Sequence, residues 1–317
     1  MVIDAVDNFI LESIKEKTIS GDELSKRLNI SRTAVWKRIK KLESLGYQIE
    51  KSSKGYRLKK RTDFLLYNEI QPYLNTERIG KNYLFFTEID STNLYAKRNE
   101  LSDGTVIVAE YQTTGKGRRG RRWISNQKKG LYFTIVLKEN IPVNEITVFS
   151  LIFPLSVKRA VEKLLKIDGL KIKWPNDIYI NGKKCAGFLI ETELEGNEVG
   201  RLIAGIGINV NQTEEELKTI DIPATSLYVE TGCVVDRKSL LASILNEIEN
   251  SINAFDKKSV LNEVEQSLLW KGENVIVIDE NIEGLLVGLT DTGGIKILTD
   301  NGILETFVGD LTLRRVS

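Results

Sequence analysis

The sequence contains no histidine, only two cysteines, one methionine and five prolines in 317 residues. The missing histidine excludes Ser-His-Asp and Cys-His nucleophilic catalysis, acid–base chemistry on an imidazole, and nearly every zinc or copper site of ordinary ligand composition. The cysteines, Cys185 and Cys233, lie far apart and do not have the spacing of metal ligands. Any chemistry must therefore depend on Lys, Arg, Asp, Glu, backbone amides or a cofactor.

Long hydrophobic runs are missing as well. No stretch approaches the roughly 18 unbroken apolar residues that a membrane-spanning helix requires. The first residues, Met1 to Asp7, are apolar and acidic and lack the basic region of a secretory signal. We therefore expect a cytoplasmic protein without disulfides and without a membrane partner.

Net charge is almost absent, because 45 Lys and Arg balance 44 Asp and Glu to give +1. The charge is unevenly distributed, however, and residues 1–61 hold 15 Lys and Arg against 8 Asp and Glu. Such a basic end is typical of a nucleic-acid-binding domain. The length of 317 residues, with 41% apolar side chains, predicts two or three folded domains. We place them at 1–62, 63–267 and 268–317.

The basic amino-terminal part has the pattern of a winged helix-turn-helix. Ser20 begins a short helix, Asn29 and Ile30 form a turn, and Ser31 caps a second helix that runs to Leu45. The segment from Tyr47 to Leu58 then predicts a β-hairpin, the wing.

The second of these helices has one buried and one exposed face. The apolar stripe consists of Val35, Ile39 and Leu42. The opposite face predicts the DNA contacts, which are Arg32, Thr33, Trp36, Lys37 and Lys40. A small helical domain with a solvated basic face is the alternative, and Trp36 could equally pack against the wing.

The remaining chain predicts a mixed α/β domain followed by a small all-β barrel. Between residues 64 and 265, strand-like runs alternate with helical periodicities. Asn181-Gly182 between two apolar runs is a strong signal for a type I′ hairpin, so at least part of the sheet is antiparallel. After about residue 270, short apolar runs alternate with turns rich in Asp, Asn and Gly. These runs are Val275 to Ile278, Gly294 to Leu298 and Leu311 to Leu313.

The segment from Gly115 to Trp123 holds five cations and three glycines in nine residues. Glycine lets backbone amides approach an anion closely, and Arg and Lys supply charge and forked donors. The segment predicts a site for a carboxylate or a phosphate, although it matches neither a P-loop nor a dinucleotide-binding fingerprint. A basic surface loop or an RNA contact is the alternative.

Three further segments beside predicted strands carry candidate ligand contacts. In the segment from Lys173 to Asp177, Asn176 offers an amide that can read a base edge, and Asp177 offers a hard oxygen for Mg²⁺. Lys184 precedes a pair of small residues and an apolar strand, and could point at a ligand from there. Gly205 and Gly207 could let a flat ligand lie against the backbone. A plain turn, a solvent-exposed lysine and a β-bulge are the corresponding alternatives.

Together these segments resemble the biotin-protein ligases, and the resemblance covers the whole chain. The five motifs occur in the family's order: Ile89-Asp-Ser-Thr-Asn93, Glu110-Tyr-Gln112 leading into Gly115-Lys-Gly-Arg-Arg-Gly120, Lys173-Trp-Pro-Asn-Asp177, Lys184-Cys-Ala-Gly187 and Gly205-Ile-Gly-Ile-Asn209. With the winged helix in front, the chain resembles the bifunctional biotin ligase and biotin operon repressor class.

The resemblance implies a multidomain α+β fold. Its parts are an amino-terminal winged helix-turn-helix, a central mixed α/β ligase domain that is class II synthetase-like, and a small SH3-like β-barrel at the carboxyl end. It also implies the reaction, in which biotin and ATP form biotinyl-5′-AMP and pyrophosphate in the presence of Mg²⁺. A lysine of a biotin carboxyl carrier domain then attacks this mixed anhydride.

The resemblance also assigns roles to residues. The catalytic cations are Arg118 and Lys184. Biotin is held by Ser91, Thr92, Asn93, Gln112, Lys116, Gly117, Arg118 and Lys184. The nucleotide is held by Arg121, Trp123, Asn176 and Asn209, and Asp177 helps to hold the metal.

For regulation, the resemblance implies a ligand-promoted homodimer that binds a palindromic operator, with biotinyl-5′-AMP as corepressor. Two other interpretations remain: a biotin-sensing transcription factor without catalysis, and a lipoate-type protein ligase. The presence of Arg118, Lys184 and Asp177 argues against the first. The Gly-Lys-Gly-Arg-Arg-Gly loop and the Lys-Trp-Pro-Asn-Asp segment favour biotin over lipoate.

Overall fold

The structure is a computed structural model that describes residues 3–306 and 313–315. The chain divides into two compact units, Met1–Pro72 and Tyr73–Ser317. The boundaries of a three-domain division stay a prediction. No helix of the described ranges combines the length and the apolar character that crossing a membrane demands.

The first unit is the expected winged helix-turn-helix. Its elements are α1 (Ala5–Ser13), α2 (Gly21–Leu28), α3 (Arg32–Ser44), β1 (Gln48–Ser52), β2 (Gly55–Lys60) and α4 (Tyr67–Ile70). The Ser20 and Ser31 side chains cap α2 and α3 by accepting from the backbone N–H groups of Glu23 and Ala34. Between the helices, Asn29 takes the left-handed conformation that ends α2.

Packing in this unit follows the apolar pattern of the sequence. Val35, Ile39 and Leu42 of α3 are buried, as predicted. Strands β1 and β2 pair antiparallel, with Ile49 opposite Leu58, and confirm the wing. The exposed face of α3 is therefore the one that carries the predicted DNA contacts.

The second unit begins with the ligase-type domain. Its elements are β3 (Tyr83–Phe86), α5 (Thr92–Arg98), β4 (Thr105–Ala109), β5 (Leu131–Leu137), β6 (Ile141–Pro142), α6 (Ile146–Ser150), α7 (Ile152–Leu165), β7 (Lys171–Lys173), β8 (Asp177–Ile180), β9 (Lys183–Glu195), β10 (Glu198–Ile208), α8 (Glu214–Leu217), α9 (Leu227–Thr231), α10 (Arg237–Asn253) and α11 (Lys257–Gln266).

These strands form one mixed sheet in the order β3-β4-β5-β10-β9-β8-β7, with β6 beside β10. Strands β3 and β4 are parallel, and the other described pairs are antiparallel. The predicted hairpin is confirmed between β8 and β9, where both Asn181 and Gly182 have positive φ. The sheet brings residues of β8, β9 and β10 into one pocket with the first residues of α5.

Helices α7 and α10 pack against each other beside this sheet. The periodicity from Val148 to Leu165 predicts one helix, whereas the structure has two. The backbone tightens at Leu151, whose N–H donates to the carbonyl oxygens of Thr147 and Val148. A tight last turn of this kind separates α6 from α7.

The carboxyl-terminal strands form a second sheet in the order β14-β13-β12-β11-β15. Its strands are β11 (Asn274–Val277), β12 (Ile282–Leu289), β13 (Ile295–Thr299), β14 (Gly302–Thr306) and β15 (Leu313–Arg315), and all described pairs are antiparallel. The expected strand-rich region is thus present, and its SH3-like closure stays a prediction. Of the run Leu311 to Leu313, residues 311 and 312 lie outside the described residues.

The second sheet contacts the central domain at a glycine turn. The indole N–H of Trp174 donates to the carbonyl oxygen of Gly293 at 2.9 Å. Gly293 has a φ of 85°, and a Cβ there would lie 3.0 Å from a methyl group of Thr147. A side chain is therefore excluded by both the backbone conformation and the close approach of α6.

Candidate active site and nucleic-acid interface

A pocket of about 450 Å³, counted with its open mouth, lies where α5, the 115–123 loop and strands β8, β9 and β10 meet. Most of the residues that the sequence predicts for ligand binding line it together: Ser91, Thr92, Asn93, Gln112, Lys116, Gly117, Arg118, Trp123, Asn176, Asp177 and Lys184. They come from four separate segments of the chain. The fold therefore assembles in one place the groups that the sequence singles out separately.

Two predicted residues do not belong to this lining. Arg121 is exposed on the 115–123 loop. Asn209 is only 2% exposed, and its amide donates to the carbonyl oxygen of Thr225 at 3.0 Å. Asn209 is thus buried outside the lining, and its side-chain NH₂ group donates to the protein.

The 115–123 loop folds back on itself. The N–H of Trp123 donates to Gly115 at 2.8 Å, and the N–H of Gly117 donates to Arg121 at 2.8 Å. Arg119 takes a positive φ of 58° at the tip and pairs with Asp279 of the second sheet at 2.6 Å. The loop therefore has a defined conformation that presents Arg118 and Trp123 to the pocket.

Arg118 is positioned by a short chain of hydrogen bonds. Its Nη1 donates to Oδ1 of Asn176 at 3.2 Å. The amide nitrogen of Asn176 donates in turn to the carbonyl oxygen of Phe188 in β9 at 2.7 Å. Asn176 thus links the guanidinium of Arg118 to strand β9.

Lys184 is held at both its backbone and its side chain. Its N–H donates to Pro223, and its carbonyl oxygen accepts from Thr225, both at 2.9 Å. Its ammonium lies 2.6 Å from Oδ1 of Asp177, and both side chains are largely buried. The pocket therefore contains two fixed cations, Arg118 and Lys184.

The indole of Trp123 lies on the glycines of β9 and β10. A Cβ on Gly187 would come within 2.8 Å of this ring, and one on Gly207 within 2.5 Å. The flat surface expected for a ligand at the Gly205 to Asn209 segment is thus partly covered by Trp123. The ammonium of Lys184 lies 5.5 Å from the centre of the indole, within the range of a cation–π contact.

The described residues contain no group of three or more metal-binding side chains. Among the described residues that line the pocket, Asp177 is the one carboxylate, and its Oδ1 is buried. Mg²⁺ at nucleotide sites is usually held by one or two carboxylates together with phosphate oxygens and water. This residue set fits a metal that arrives with a nucleotide, and it does not fit a metal held by the protein alone.

On the first unit, the predicted DNA-contact residues lie on one exposed face of α3. Trp36 is 49% exposed, and the ammonium of Lys40 lies 6.0 Å from the centre of its ring. Arg32 forms an ion pair with Asp22, while Thr33 and Lys37 are exposed. This face offers cations and one aromatic ring to a partner.

Other cations of α3 serve the fold. Arg38 lies 2.7 Å from carboxylate oxygens of both Asp4 and Asp7, and Lys41 lies 2.6 Å from the buried Asp7. The hydrogen bond from Arg38 lowers the pKa of Asp4. These contacts join α3 to the start of α1. Arg38 and Lys41 therefore have a structural role, unlike the cations on the exposed face of the same helix.

Sequence reasoning missed several residues that support the site. Arg237 donates to Glu110 at 2.9 Å and to the carbonyl oxygen of Gly130 at 3.0 Å, and this buried pair joins α10 to β4 and β5. Thr134 and Glu191 contact Asn93. A hydroxyl inside the apolar run from Leu131 to Leu137 is a signal that could have identified Thr134.

Comparison with known proteins agrees with this architecture. The model of the Biotin/lipoate A/B protein ligase family matches residues 85–209, and the model named HTH domain matches residues 8–57. The biotin protein ligase of Aquifex aeolicus, solved in complex with biotin and ATP, is 40% identical, with a TM-score of 0.64. That likeness covers 74% of this chain and 100% of the other. The fold and the site thus define a protein ligase with a helix-turn-helix domain in front.

Two curated relatives extend over nearly the whole chain. The bifunctional ligase/repressor BirA of Bacillus subtilis is 35% identical, over 93% of this chain and 94% of the relative. The protein of the same name from Escherichia coli is 30% identical, over 93% of this chain and 92% of the relative. The chain belongs to the family of bifunctional ligase/repressor proteins.

Proposed function

We propose that this protein attaches biotin to a lysine of a biotin carboxyl carrier domain at the expense of ATP, and that it represses a biotin operon. One observation carries the catalytic part. A single pocket contains two fixed cations beside a cluster of small polar groups, and this pocket lies in a chain that belongs to the ligase/repressor family.

In the first step, the biotin carboxylate attacks the α-phosphorus of ATP, and pyrophosphate leaves. The two reacting groups are both anions, so the barrier falls when cations neutralise and align them. Arg118 and Lys184, which both line the pocket, supply this charge. Biotinyl-5′-AMP remains bound.

In the second step, the amine of the carrier lysine attacks the carbonyl carbon of biotinyl-5′-AMP. An amide forms, the bond to the phosphate oxygen breaks, and AMP leaves. Arg118 and Lys184 again stabilise the charge that develops on the leaving phosphate. This chemistry uses no imidazole, which agrees with a chain that has no histidine.

The substrates occupy two ends of the pocket. Biotin is bound by Ser91, Thr92, Asn93 and Gln112, with the backbone from Lys116 to Arg118 and the ammonium of Lys184. The adenosine lies near Trp123 and Asn176, with Arg121 on a phosphate. Asn209 belongs to this end as well, and its amide donates to Thr225. Asp177 would hold a Mg²⁺ ion that arrives with ATP, and this metal would supply charge neutralisation.

The first unit binds operator DNA. The exposed face of α3, with Arg32, Thr33, Trp36, Lys37 and Lys40, has the position of a recognition helix, and the wing lies beside it in sequence. A homodimer would place two such helices on a palindromic operator. Support for a self-association surface comes from the apolar side chains of Val143 and Leu194, which are 42% and 59% exposed and line one groove.

The test of the catalytic proposal is exchange of labelled pyrophosphate into ATP. Purified protein is incubated with ATP and Mg²⁺, together with biotin, lipoate or neither. We expect exchange with biotin only, because adenylate formation is reversible and requires the acid that fits the pocket. The proposal would be refuted if lipoate supported exchange and biotin did not, or if exchange occurred without either acid. Omission of Mg²⁺ with added chelator should abolish the exchange.

A further inference from the structure

Thr134 lies directly beneath the end of the pocket where the Ser91 to Asn93 segment begins α5. It belongs to the central strand β5 and is fully buried. Its hydroxyl oxygen is 2.7 Å from the hydroxyl oxygen of Thr92 and 2.6 Å from Oδ1 of Asn93. One buried hydroxyl thus touches two residues that line the pocket.

The orientation of the Asn93 amide follows from its partners. One end of this amide lies 3.2 Å from the carbonyl oxygen of Leu189 and 3.1 Å from a carboxylate oxygen of Glu191. Both oxygens only accept hydrogen bonds, so this end must be the NH₂ group. Lys97 lies 2.9 Å from the other carboxylate oxygen of Glu191 and balances its charge. Oδ1 of Asn93 therefore faces Thr134.

This orientation fixes the hydrogen atoms of both threonines. Two oxygens at 2.6 Å repel each other without a hydrogen between them, so Thr134 must donate its one hydrogen to Asn93. Thr92 then gives its one hydrogen to the 2.7 Å contact with Thr134 rather than to Oε1 of Gln112, which lies farther away at 3.2 Å. Thr92 and Asn93 thus have their donor hydrogens committed to the protein.

Gln112 is oriented by the same kind of argument. The backbone N–H of Thr92 lies 2.9 Å from one end of the Gln112 amide. A backbone N–H can only donate, so that end is Oε1 and the NH₂ group is the other end. Among residues 3–306 and 313–315, no protein acceptor meets this NH₂ group. Gln112 therefore offers donors to a ligand.

We propose that Thr134, supported by Glu191, is a positioning residue that fixes the hydrogen-bond polarity of the biotin pocket. The chain from Thr92 through Thr134 to Asn93 holds the first turn of α5 on β5 and, through the N–H of Thr92, keeps Gln112 turned with its donors outward. The pocket then recognises an acceptor, which in biotin is the ureido carbonyl oxygen. This inference rests on the proposed function.

The first experiment compares Thr134→Val with Thr134→Ser. Valine keeps the shape and removes the hydroxyl, while serine keeps the hydroxyl. Thr134→Val leaves Oδ1 of Asn93 without its donor, and an unpaired buried acceptor is costly. We therefore expect this variant to bind biotin about 10-fold or more weakly, as measured by calorimetry. The KM for biotin should rise in parallel, and the KM for ATP should stay within about twofold. Thr134→Ser should bind biotin within about threefold of wild type.

Glu191 gives a second pair of variants. Glu191→Leu removes the acceptor for Asn93 and should weaken biotin binding in the same direction as Thr134→Val. Glu191→Gln keeps an acceptor oxygen and should restore most of the affinity. Unchanged biotin affinity in Thr134→Val would refute the positioning role, as would equal losses in the valine and serine variants. If wild type itself fails to bind biotin, the proposed function is wrong instead.

The polarity can be tested with 2-iminobiotin, in which a protonated imine replaces the ureido oxygen at neutral pH. Wild type should bind this analogue more than about 100-fold more weakly than biotin. The protonated imine donates hydrogen bonds, and so does the NH₂ group of Gln112 that would face it. Gln112→Glu presents an acceptor and should narrow or reverse this preference. Equal affinity of wild type for the two ligands would refute the assigned polarity.

Discussion

Arg118 and Lys184 meet at one pocket but are held in different ways. The guanidinium of Arg118 donates to a neutral amide, that of Asn176. The ammonium of Lys184 faces the Asp177 carboxylate at 2.6 Å, which holds it in place and partly offsets its charge. Both remain in the lining, where an incoming anion would compete for them.

Replacement of either cation should reduce adenylate formation strongly. Arg118→Ala or Lys184→Ala removes one charge-assisted contact at the reacting centre, which costs about 3 kcal/mol or roughly 100-fold in rate. The measurement is single-turnover formation of biotinyl-5′-AMP from labelled ATP. The neighbouring exposed Lys183 provides the control, because Lys183→Ala removes the same charge outside the lining. Near-normal rates in either test variant would exclude that residue from catalysis.

Single residues differ in how far the sequence predicts them. Local signals were sufficient for the Ser31 cap and for the Asn181-Gly182 turn, because the partner groups lie within three residues. The partners of Thr134 and Arg237 lie 42 and 127 residues away in the chain. No periodicity encodes such distances, so these supporting contacts appear only once the sheet is assembled.

At the scale of elements, three helices are joined by one side chain. Arg159 of α7 donates to Glu263 of α11 at 2.8 Å through Nε, and to Ser251 of α10 at 3.2 Å. Periodicity predicts each helix separately, but it cannot predict which faces meet. The hydrogen bonds from Arg159 lower the pKa of Glu263.

Loss of this contact should destabilise the protein in a pH-dependent way. Glu263→Gln should cost roughly 0.5 to 1 kcal/mol at pH 7, since the pair is partly exposed and screened. A lowered folded-state pKa gives stability that is present above the unfolded pKa of about 4.3 and is lost as the pH falls through the folded value. Urea unfolding at pH 7 and near pH 3 should therefore show a difference that shrinks in acid.

The control for this prediction is Glu162→Gln. Glu162 pairs with Lys158 at 2.6 Å within α7, so it joins no two elements. A pair of this type contributes about 0.3 to 0.5 kcal/mol. If both variants lose the same free energy of unfolding with the same pH dependence, the contact with α11 has no special role.

At the scale of the whole molecule, the two activities should separate. Arg32→Glu combined with Lys37→Glu reverses two charges on the exposed face of α3 and should abolish operator binding by repelling phosphates. Carrier biotinylation should stay within about twofold of wild type, because the residues of the pocket all lie in the second unit. The matched control is Lys163→Glu with Lys166→Glu, which changes the net charge equally at exposed positions of the second unit.

Operator binding and carrier biotinylation are measured on the same preparations of both double variants. Equal losses of operator binding would mean that only the net charge matters, and the helix assignment would be wrong. A large loss of biotinylation in the α3 variant would show that the first unit contributes to the ligase reaction.

DNA affinity should depend on biotinyl-5′-AMP more than on biotin or ATP given separately. Only the complete intermediate reaches both the Ser91 to Gln112 end of the pocket and the end near Trp123 and Asn176, so it alone can order both sets of contacts. In the proposed corepressor mechanism, binding of biotinyl-5′-AMP would shift the monomer towards the dimer, and a dimer would double the number of neutralised phosphates. Each such phosphate contributes about one unit to the slope of log affinity against log salt. The slope for the dimer should therefore be about twice that of the monomer.

The measurement is operator titration at several salt concentrations without ligand, with biotin, and with biotin plus ATP. Equal affinities and equal slopes in all three would show that the adenylate does not control dimerisation, and the corepressor role would have to be abandoned.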